Sequence, residues 1–336
     1  MSITALDIGT ASIKVLLAKG PKNITISKFV EVPNKLGLVY PQTDQEFAQF
    51  TELIANIFND YKLDQSDVRL SLPEYLTASR VVEVPFLTDA ELASAIDWQA
   101  EQYIPIPKND LTLQYQVLER PLKKTENAKM KVLLVGTRKS IAEKMNNVFL
   151  TIGIEPTLLE TQIFALIRTL DFRPEDPNTL LVQLGANTSA MAAIAAGQFD
   201  FSVSSKIGSQ LITNAIAQNF NLDQAQAETY KINYGLDQKQ LEGKVAAAAL
   251  PIVEALCGEM QKAITFFNQN HQGQKISRIV LSGGPAQTIG LTEYISNKLG
   301  IETMLIAAFA AAKGSLPEQN QASYGVCVGL CMRQLI

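Results

Sequence analysis

Residues 6–14 read LDIGTASIK. An apolar run ends in Asp7, Gly9 follows, then Thr10 and Ser12, and Lys14 enters a second apolar run. The strand-like stretches SITALDI (2–8) and SIKVLLA (12–18) predict a β-hairpin with its tip at Gly9. A glycine there lets the backbone approach a ligand, because no Cβ intervenes. Successive N–H groups in such a turn form an anion cradle, and the Thr10 and Ser12 hydroxyls add donors. Asp7 is placed to hold a divalent cation through water, and Lys14 to balance phosphate charge. The same residues also describe an ordinary hairpin with polar tips, so the stretch alone does not decide its use.

A second stretch does. LVQLGANTSAMAAIA (181–195) repeats the design: apolar strand, polar residue, glycine, small polar residues, apolar strand. Its cradle is Gly185, Asn187, Thr188 and Ser189. Two matching hairpins, each opening one half of the chain, predict two related lobes with a nucleotide pinched between them. A third element, LSGGPA (281–286), follows a strand and precedes a helix, which suits packing of Gly283, Gly284 and Pro285 against an adenosine. A fourth, QAETYKINYG (226–235), puts Glu228 and Lys231 on one helix face, either as a surface ion pair or within reach of a ribose and a phosphate.

Composition narrows the classes. The 336 residues are 47% apolar and 18% charged with net charge −4, a profile of globular chains that gather neither nucleic acid nor anionic lipid by their field. The three cysteines show no disulfide framework or zinc spacing, which points to a reducing cytoplasm, and Cys327 and Cys331 read as core residues of one helix. MSITALDIG has no basic leader, and VAAAALPIVEALCGEM (245–260) is too short and too acidic to span a bilayer. No direct membrane insertion is expected. His271, the only histidine, sits in NQNHQGQK and reads as a solvated loop residue, which removes histidine-based hydrolases and two-histidine metal sites.

The rhythm of the chain gives its organisation. EFAQFTELIANIFNDY (46–61) is an amphipathic helix and DVRLSLP (67–73) a strand. SRVVEVP, TDAELASAIDWQAEQY, LTLQYQVLER and MKVLLVGTR, then a helix over 139–151 and EPTLLE, predict a compact β-α-β-β-α-β unit. Residues 179–205 read as a three-stranded meander, 209–268 as largely helical, and YGVCVGLCMRQL (324–335) as an apolar closing helix.

The four elements follow the order seen in the actin-like ATPases, and the chain resembles that superfamily over nearly its whole length. Within it the sequence is similar to the type IV pilus assembly PilM family, a relative of FtsA. IGSQLITNAIAQNFNLDQAQAETYK (207–231) carries the family's Gly208, Thr213 and Glu228-to-Lys231 positions, and LPEYLTASRVVEVPFLTDAELASAIDWQAEQYIPIP (72–107) looks like PilM in particular. The resemblance implies an α/β, actin-like (ribonuclease H-like) two-lobed fold with an inserted α+β subdomain. Its first lobe would hold 1–80, 161–176 and 318–336, and the insertion 81–160. The second lobe would hold 177–206 and 274–317, with a helical subdomain over 207–273.

It also implies ATP or ADP with Mg²⁺ as cofactors. Asp7, Gly9, Thr10, Ser12 and Lys14 would form the first phosphate loop, Gly185, Asn187 and Thr188 the second. Gly208, Glu228 and Lys231 would support the nucleotide, and Gly283, Gly284 and Pro285 the adenosine, with Asp7 holding the metal through water. One departure matters. Gln183 stands where the second loop usually has an aspartate, and Ala190 where an acid often follows. An amide cannot polarise water or balance Mg²⁺ as a carboxylate does, so ATP would be held and hydrolysed slowly if at all. The implied partner is a PilN-like inner-membrane protein, bound through its cytoplasmic N-terminal peptide and keeping this chain peripheral to the membrane. Phe86, Trp98, Tyr103 and Ile104 are candidate groove residues, and a homo-oligomer or ring is an open assembly state. Two alternatives stand beside this. A small-molecule kinase of the same superfamily would need a catalytic aspartate and an acceptor pocket where the insertion sits. An FtsA-like division protein would end in a basic amphipathic helix, whereas MRQLI follows the closing helix directly.

Overall fold

The computed structural model describes residues 2–20, 23–123, 125 and 127–335. β1 (Ser2–Ile8) and β2 (Ser12–Lys19) form the expected hairpin, and β3 (Ile24–Pro33) adds antiparallel to β2. α1 (Asp44–Tyr61) starts at a capping box in which Thr43 and Glu46 satisfy each other's backbone N–H groups. It leads into β4 (Val68–Leu72), which pairs parallel with β1. Then come β5 (Thr77–Pro85), α2 (Asp89–Tyr103), β6 (Leu111–Glu119), β7 (Lys129–Arg138), α3 (Lys139–Thr151), β8 (Pro156–Thr161) and α4 (Gln162–Leu170). The second half runs β9 (Thr179–Leu184), β10 (Ser189–Ala195), β11 (Gln198–Ser205), α5 (Ser209–Phe220), α6 (Gln224–Tyr234) and α7 (Lys244–Asn270). It closes with β12 (Arg278–Ser282), α8 (Leu291–Leu299), β13 (Glu302–Leu305), β14 (Ala312–Gly314) and α9 (Gly325–Met332).

The hairpin repeat extends to whole sheets. One sheet orders its strands β14-β3-β2-β1-β4-β8, the other β13-β12-β9-β10-β11-β5-β7-β6. β3-β2-β1 and β11-β10-β9 are antiparallel meanders, and each continues into two parallel strands, β4 and β8 or β12 and β13. α4 and α9 lie between the sheets, where Ala165, Leu166, Val328 and Leu330 share a core with Ala5 and Leu16 of one sheet and Leu181 and Val280 of the other. α1 and α3 cover the outer face of the first sheet; α5, α7 and α8 cover the outer face of the second. This layering is the α/β architecture that burying a parallel strand on both faces requires.

Two expected boundaries move. α3 and β8 belong to the first lobe, not the insertion. Ile141, Met145 and Phe149 of α3 pack on Phe50, Ile54 and Phe58 of α1, and β8 pairs with β4 from Val68↔Pro156 to Leu72↔Thr161. The inserted unit is therefore β5, α2, β6 and β7, with its own core around Leu92, Ile96, Val132 and Leu134. β14 likewise leaves the second lobe, because it pairs with β3 from Ala312↔Ile24 to Gly314↔Ile26. His271 is not a solvated loop residue. α7 runs to Asn270, so His271 sits one turn beyond Phe267, stacks on its ring at 4.4 Å and lies 2.9 Å from Asp200.

Candidate functional site

Parallel strands deliver their carboxyl ends to one edge of a sheet, and ligands of open α/β sheets bind outside those ends. Here β1 and β9, β4 and β12, and β8 bring Asp7, Gln183, Glu74, Gly283 and Gln162 to one cleft of about 310 Å³ between the lobes. The same cleft is lined by Gly9, Thr10, Ser12 and Lys14, by Gly185, Asn187 and Thr188, by Glu228 and Lys231, and by Gly284 and Pro285.

The two hairpin tips are built alike. Gly9 N–H donates to Ser12 O at 3.0 Å and Gly185 N–H to Thr188 O at 2.9 Å. A Cβ at either glycine would lie 2.9 or 2.7 Å from that same carbonyl oxygen, so both turns exclude a side chain. Their charges differ. Asp7 pairs in register with Lys14, whereas the equivalent pair in the second hairpin is Gln183 and Ala190, and that cradle is uncharged.

Asp7 is buried, and its Oδ1 accepts from Ser71 Oγ at 2.6 Å and Gln162 Nε2 at 2.7 Å. Gln183 is also buried, and its Oε1 has no hydrogen-bond partner among the described residues. An orphaned amide oxygen at the wall of a polar cleft fits a bound ligand or water better than a closed core. Lys231 is no surface residue: it is 5% exposed, with Nζ 2.6 Å from Glu228 Oε2 and 2.9 Å from Thr213 Oγ1. Thr213 donates to Glu228 Oε2 in turn at 2.7 Å.

Comparison with known proteins fits this geometry. A family model described as type IV pilus assembly protein PilM matches residues 5–335. The chain belongs to the PilM family. It is similar to the chain of a solved PilM-PilN type IV pilus biogenesis complex, with 22% identity, 98% of each chain covered and a TM-score of 0.84. An MreB of Spiroplasma citri bound to AMPPNP covers 98% of this chain and 94% of its own at 14% identity, with a TM-score of 0.53. The ethanolamine utilization protein EutJ from Carboxydothermus hydrogenoformans covers 99% and 89% at 14% identity, with a TM-score of 0.58. The fold is that of the actin-like ATPases.

Within this PilM-family cleft, two assignments made from the sequence change. Gly208 does not line the cleft. It caps α5 behind the second loop, where a Cβ would collide with the backbone of Ala186 and Asn187. The freed N–H groups of Ser209 and Gln210 donate to Gly185 O and Ala186 O at 3.1 and 2.8 Å, so Gly208 positions the loop rather than a ligand. The four groove candidates also separate. Ile104 is 1% exposed in the insertion core, Trp98 is 78% exposed on the opposite face of α2, and Phe86 lies beyond the far end of β5. Tyr103 and Ile104 alone of these line a second cavity, which lies between β5 and β11.

Glu31 and Glu74 were not read from the sequence. Glu31 on β3 stands opposite Lys14 in register, accepts from Ser12 Oγ at 2.7 Å and lies 3.7 Å from Lys14 Nζ. A carboxylate thus sits on two of the groups expected to meet phosphate. The signal was there in principle: once Ile24–Pro33 is a strand of the sheet, cross-strand pairing assigns Lys14 its partner.

Glu74 follows β4, is 5% exposed, and its Oε1 accepts from Ser202 Oγ of β11. Its Oε2 has no partner, and burial pushes its pKa up; Ser202 offsets part of that, and the nearby Ser79 hydroxyl adds weaker support without hydrogen-bond geometry. A carboxyl whose folded pKa lies above its unfolded value costs stability above the folded pKa, and the cost fades as pH falls towards the unfolded value. Glu74→Gln keeps the acceptor for Ser202 and offers Ser79 an N–H. Its expected effect at neutral pH is a gain of about 1 kcal/mol, or about 2 °C in Tm. Calorimetric melts across the acidic range should show that gain shrinking as pH falls.

The remaining reactive groups are closed off. Cys257, Cys327 and Cys331 are buried, and burial pushes the Cys257 thiol up to about 11 and Cys331 up to about 12. Among the described residues no group of three or more His, Cys, Asp or Glu converges on a metal position, and no helix is long and apolar enough to cross a membrane.

Proposed function

We propose that this chain is the cytoplasmic, nucleotide-binding component of a type IV pilus assembly platform. It would dock on the N-terminal cytoplasmic peptide of a PilN-like inner-membrane protein and so stay peripheral to the membrane. The convergence of both glycine hairpin tips, the Gly283 turn and the Glu228–Lys231 pair on one cleft is the observation that carries the nucleotide half. The likeness to the PilM chain of a PilM-PilN complex over 98% of this chain supports the partner half.

The residues present fit ATP or ADP. Two tips that admit no Cβ offer backbone N–H groups, Thr10, Asn187 and Thr188 offer further donors, and Lys14 and Lys231 offer positive charge. Mg²⁺, held mainly by the phosphates and through water by Asp7, would supply charge neutralisation. Slow turnover follows from the second cradle. Gln183 stands where a carboxylate is expected, and two other acids of the cleft are committed: Glu31 to Ser12 and Lys14, and Glu228 to Thr213 and Lys231. Nucleotide would then act by setting the angle between lobes, a shift of population rather than a cycle of chemistry.

Calorimetric titration with ATP and Mg²⁺, with and without the partner peptide, tests both halves. No binding of ATP at millimolar concentration removes the nucleotide half, and no heat with peptide removes the other. A finer expectation concerns Glu31. Replacing it with glutamine removes a negative charge from the phosphate cradle. ATP should then bind roughly three- to fivefold tighter, the effect of a partly solvated charge pair. Weaker binding in that variant, confined to Mg²⁺ buffers, would mean that Glu31 serves the cation instead.

A further inference from the structure

A hairpin tip offers N–H groups to an anion only if its carbonyls are held from behind. In the second tip the start of α5 does this, because Gly185 O and Ala186 O accept from the N–H groups of Ser209 and Gln210. A trans peptide points its N–H away from its own C=O, so the pinned carbonyls turn the N–H groups of Ala186 and Asn187 the other way. In the first tip one residue has that role. Asn34, just past β3, is 6% exposed, and it bonds the tip through both its side chain and its backbone.

Asn34 Nδ2 donates to Gly9 O at 2.8 Å and to Leu38 O at 2.6 Å, and its Oδ1 accepts from Leu36 N–H at 3.2 Å. Its own N–H donates to Ala11 O at 2.9 Å, and its carbonyl accepts from Gly37 N–H at 3.1 Å. Every polar group of the residue is thus used. The amide cannot be turned over, since its oxygen would then face two carbonyl oxygens. The N–H groups of Thr10 and Ala11 have no partner among the described residues, and residues 9–12 all line the cleft. With the Gly9 and Ala11 carbonyls drawn to Asn34, the Thr10 and Ser12 N–H groups of the same peptide units point away from it. A tip containing glycine has other conformations open to it once that hold is lost.

We propose that Asn34 is the positioning residue of the first phosphate cradle, aiming the Thr10 and Ser12 N–H groups at a bound phosphate that it does not itself touch. The inference rests on the nucleotide reading above and makes the two cradles unequal. The second is held by a helix of 12 residues, the first by one residue at the start of a loop. That loop brings Val39 to the cleft wall and is tied to α3 where Lys144 Nζ donates to Gln42 O at 3.2 Å.

Asn34→Ala removes the side-chain hold and leaves the N–H bond to Ala11. ATP with Mg²⁺, titrated calorimetrically against the intact proteins, should bind the variant at least roughly tenfold more weakly, the loss of one hydrogen bond to a charged group. Hydrogen–deuterium exchange at saturating ATP separates positioning from general damage. In wild type, ATP should slow exchange at both tips, residues 9–12 and 185–189. In Asn34→Ala it should slow exchange at the second tip alone. Equal ATP affinity in the two proteins overturns the proposal, and so does a variant in which ATP protects both tips or neither. Should wild type bind no ATP, the nucleotide reading itself falls. If thermal melts show that Asn34→Ala does not hold its fold, Asn34→Asp takes its place. It keeps the size and the bond from Leu36, loses both side-chain donations, and must give the same exchange pattern.

Discussion

Gly329→Ala should cost the fold about 3 kcal/mol or more, the upper range for forcing atoms into a packed core. α9 crosses α4 so closely that a Cβ on Gly329 would overlap the Ala165 carbonyl and Cα, which are backbone and cannot rotate aside. The same crossing is pinned from the other side, where Arg168 Nη1 donates to Gly329 O at 2.8 Å while its guanidinium also pairs with Glu160 at 2.6 Å. Separating the helices would therefore open the layer that both sheets pack against. Urea denaturation read by circular dichroism measures the loss as a lowered midpoint. Gly258→Ala supplies the contrast: it lies in α7 with nothing within 4 Å of its built Cβ, and should gain up to about 1 kcal/mol. Similar melts for wild type and Gly329→Ala would mean that the α4–α9 contact yields.

Gln183→Asp should raise ATP turnover by roughly 10- to 100-fold. Gln183 is the penultimate residue of β9 as Asp7 is of β1, so the substitution puts a carboxylate at the matching position of the second cradle. The side chain is already buried at the cleft wall with an unpartnered oxygen, so a shorter acid needs no new space. Phosphate release at saturating ATP reads the gain, and Asp7→Asn in the same background should remove it. Hydrolysis by wild type as fast as by the variant would show that the amide is not what limits turnover.

Much of the site was legible because it sits at chain punctuation. Gly9, Gly185 and the Gly283–Gly284 pair each follow an apolar run, and a turn that needs a bare backbone has few residue choices. The lobes followed from recognising one hairpin twice. Glu31 was hidden by a bulge. The register between β2 and β3 shifts at Leu17/Ala18, so Ile24 and Ile26 face one core while Val30 and Val32 face the other, and alternation alone does not say on which side Glu31 lies. Glu74 was hidden by distance. In LPEYL it reads as a surface acid after a proline, and it is buried by β11, whose Ser202 is 128 residues away. The boundary at α3 and β8 failed for the same reason. Local pattern marks both elements, but only non-local pairing says that β8 lies beside β4.

The placement of α9 sets the order in which the molecule can be made. Arg69 in β4 donates to the carbonyls of Leu330 and Arg333 at 2.8 and 2.6 Å, and Val328 and Leu330 complete a core begun by Ile3 and Ala5. Residues 325–333 leave the ribosome long after β1 has emerged. Until then the inner face of the first sheet has only α4 to cover it, while the meander of β9, β10 and β11 and the helices that follow it are already complete. The first lobe is therefore completed last, and part of the apolar face of β1 and β2 stays exposed until the final helix is made.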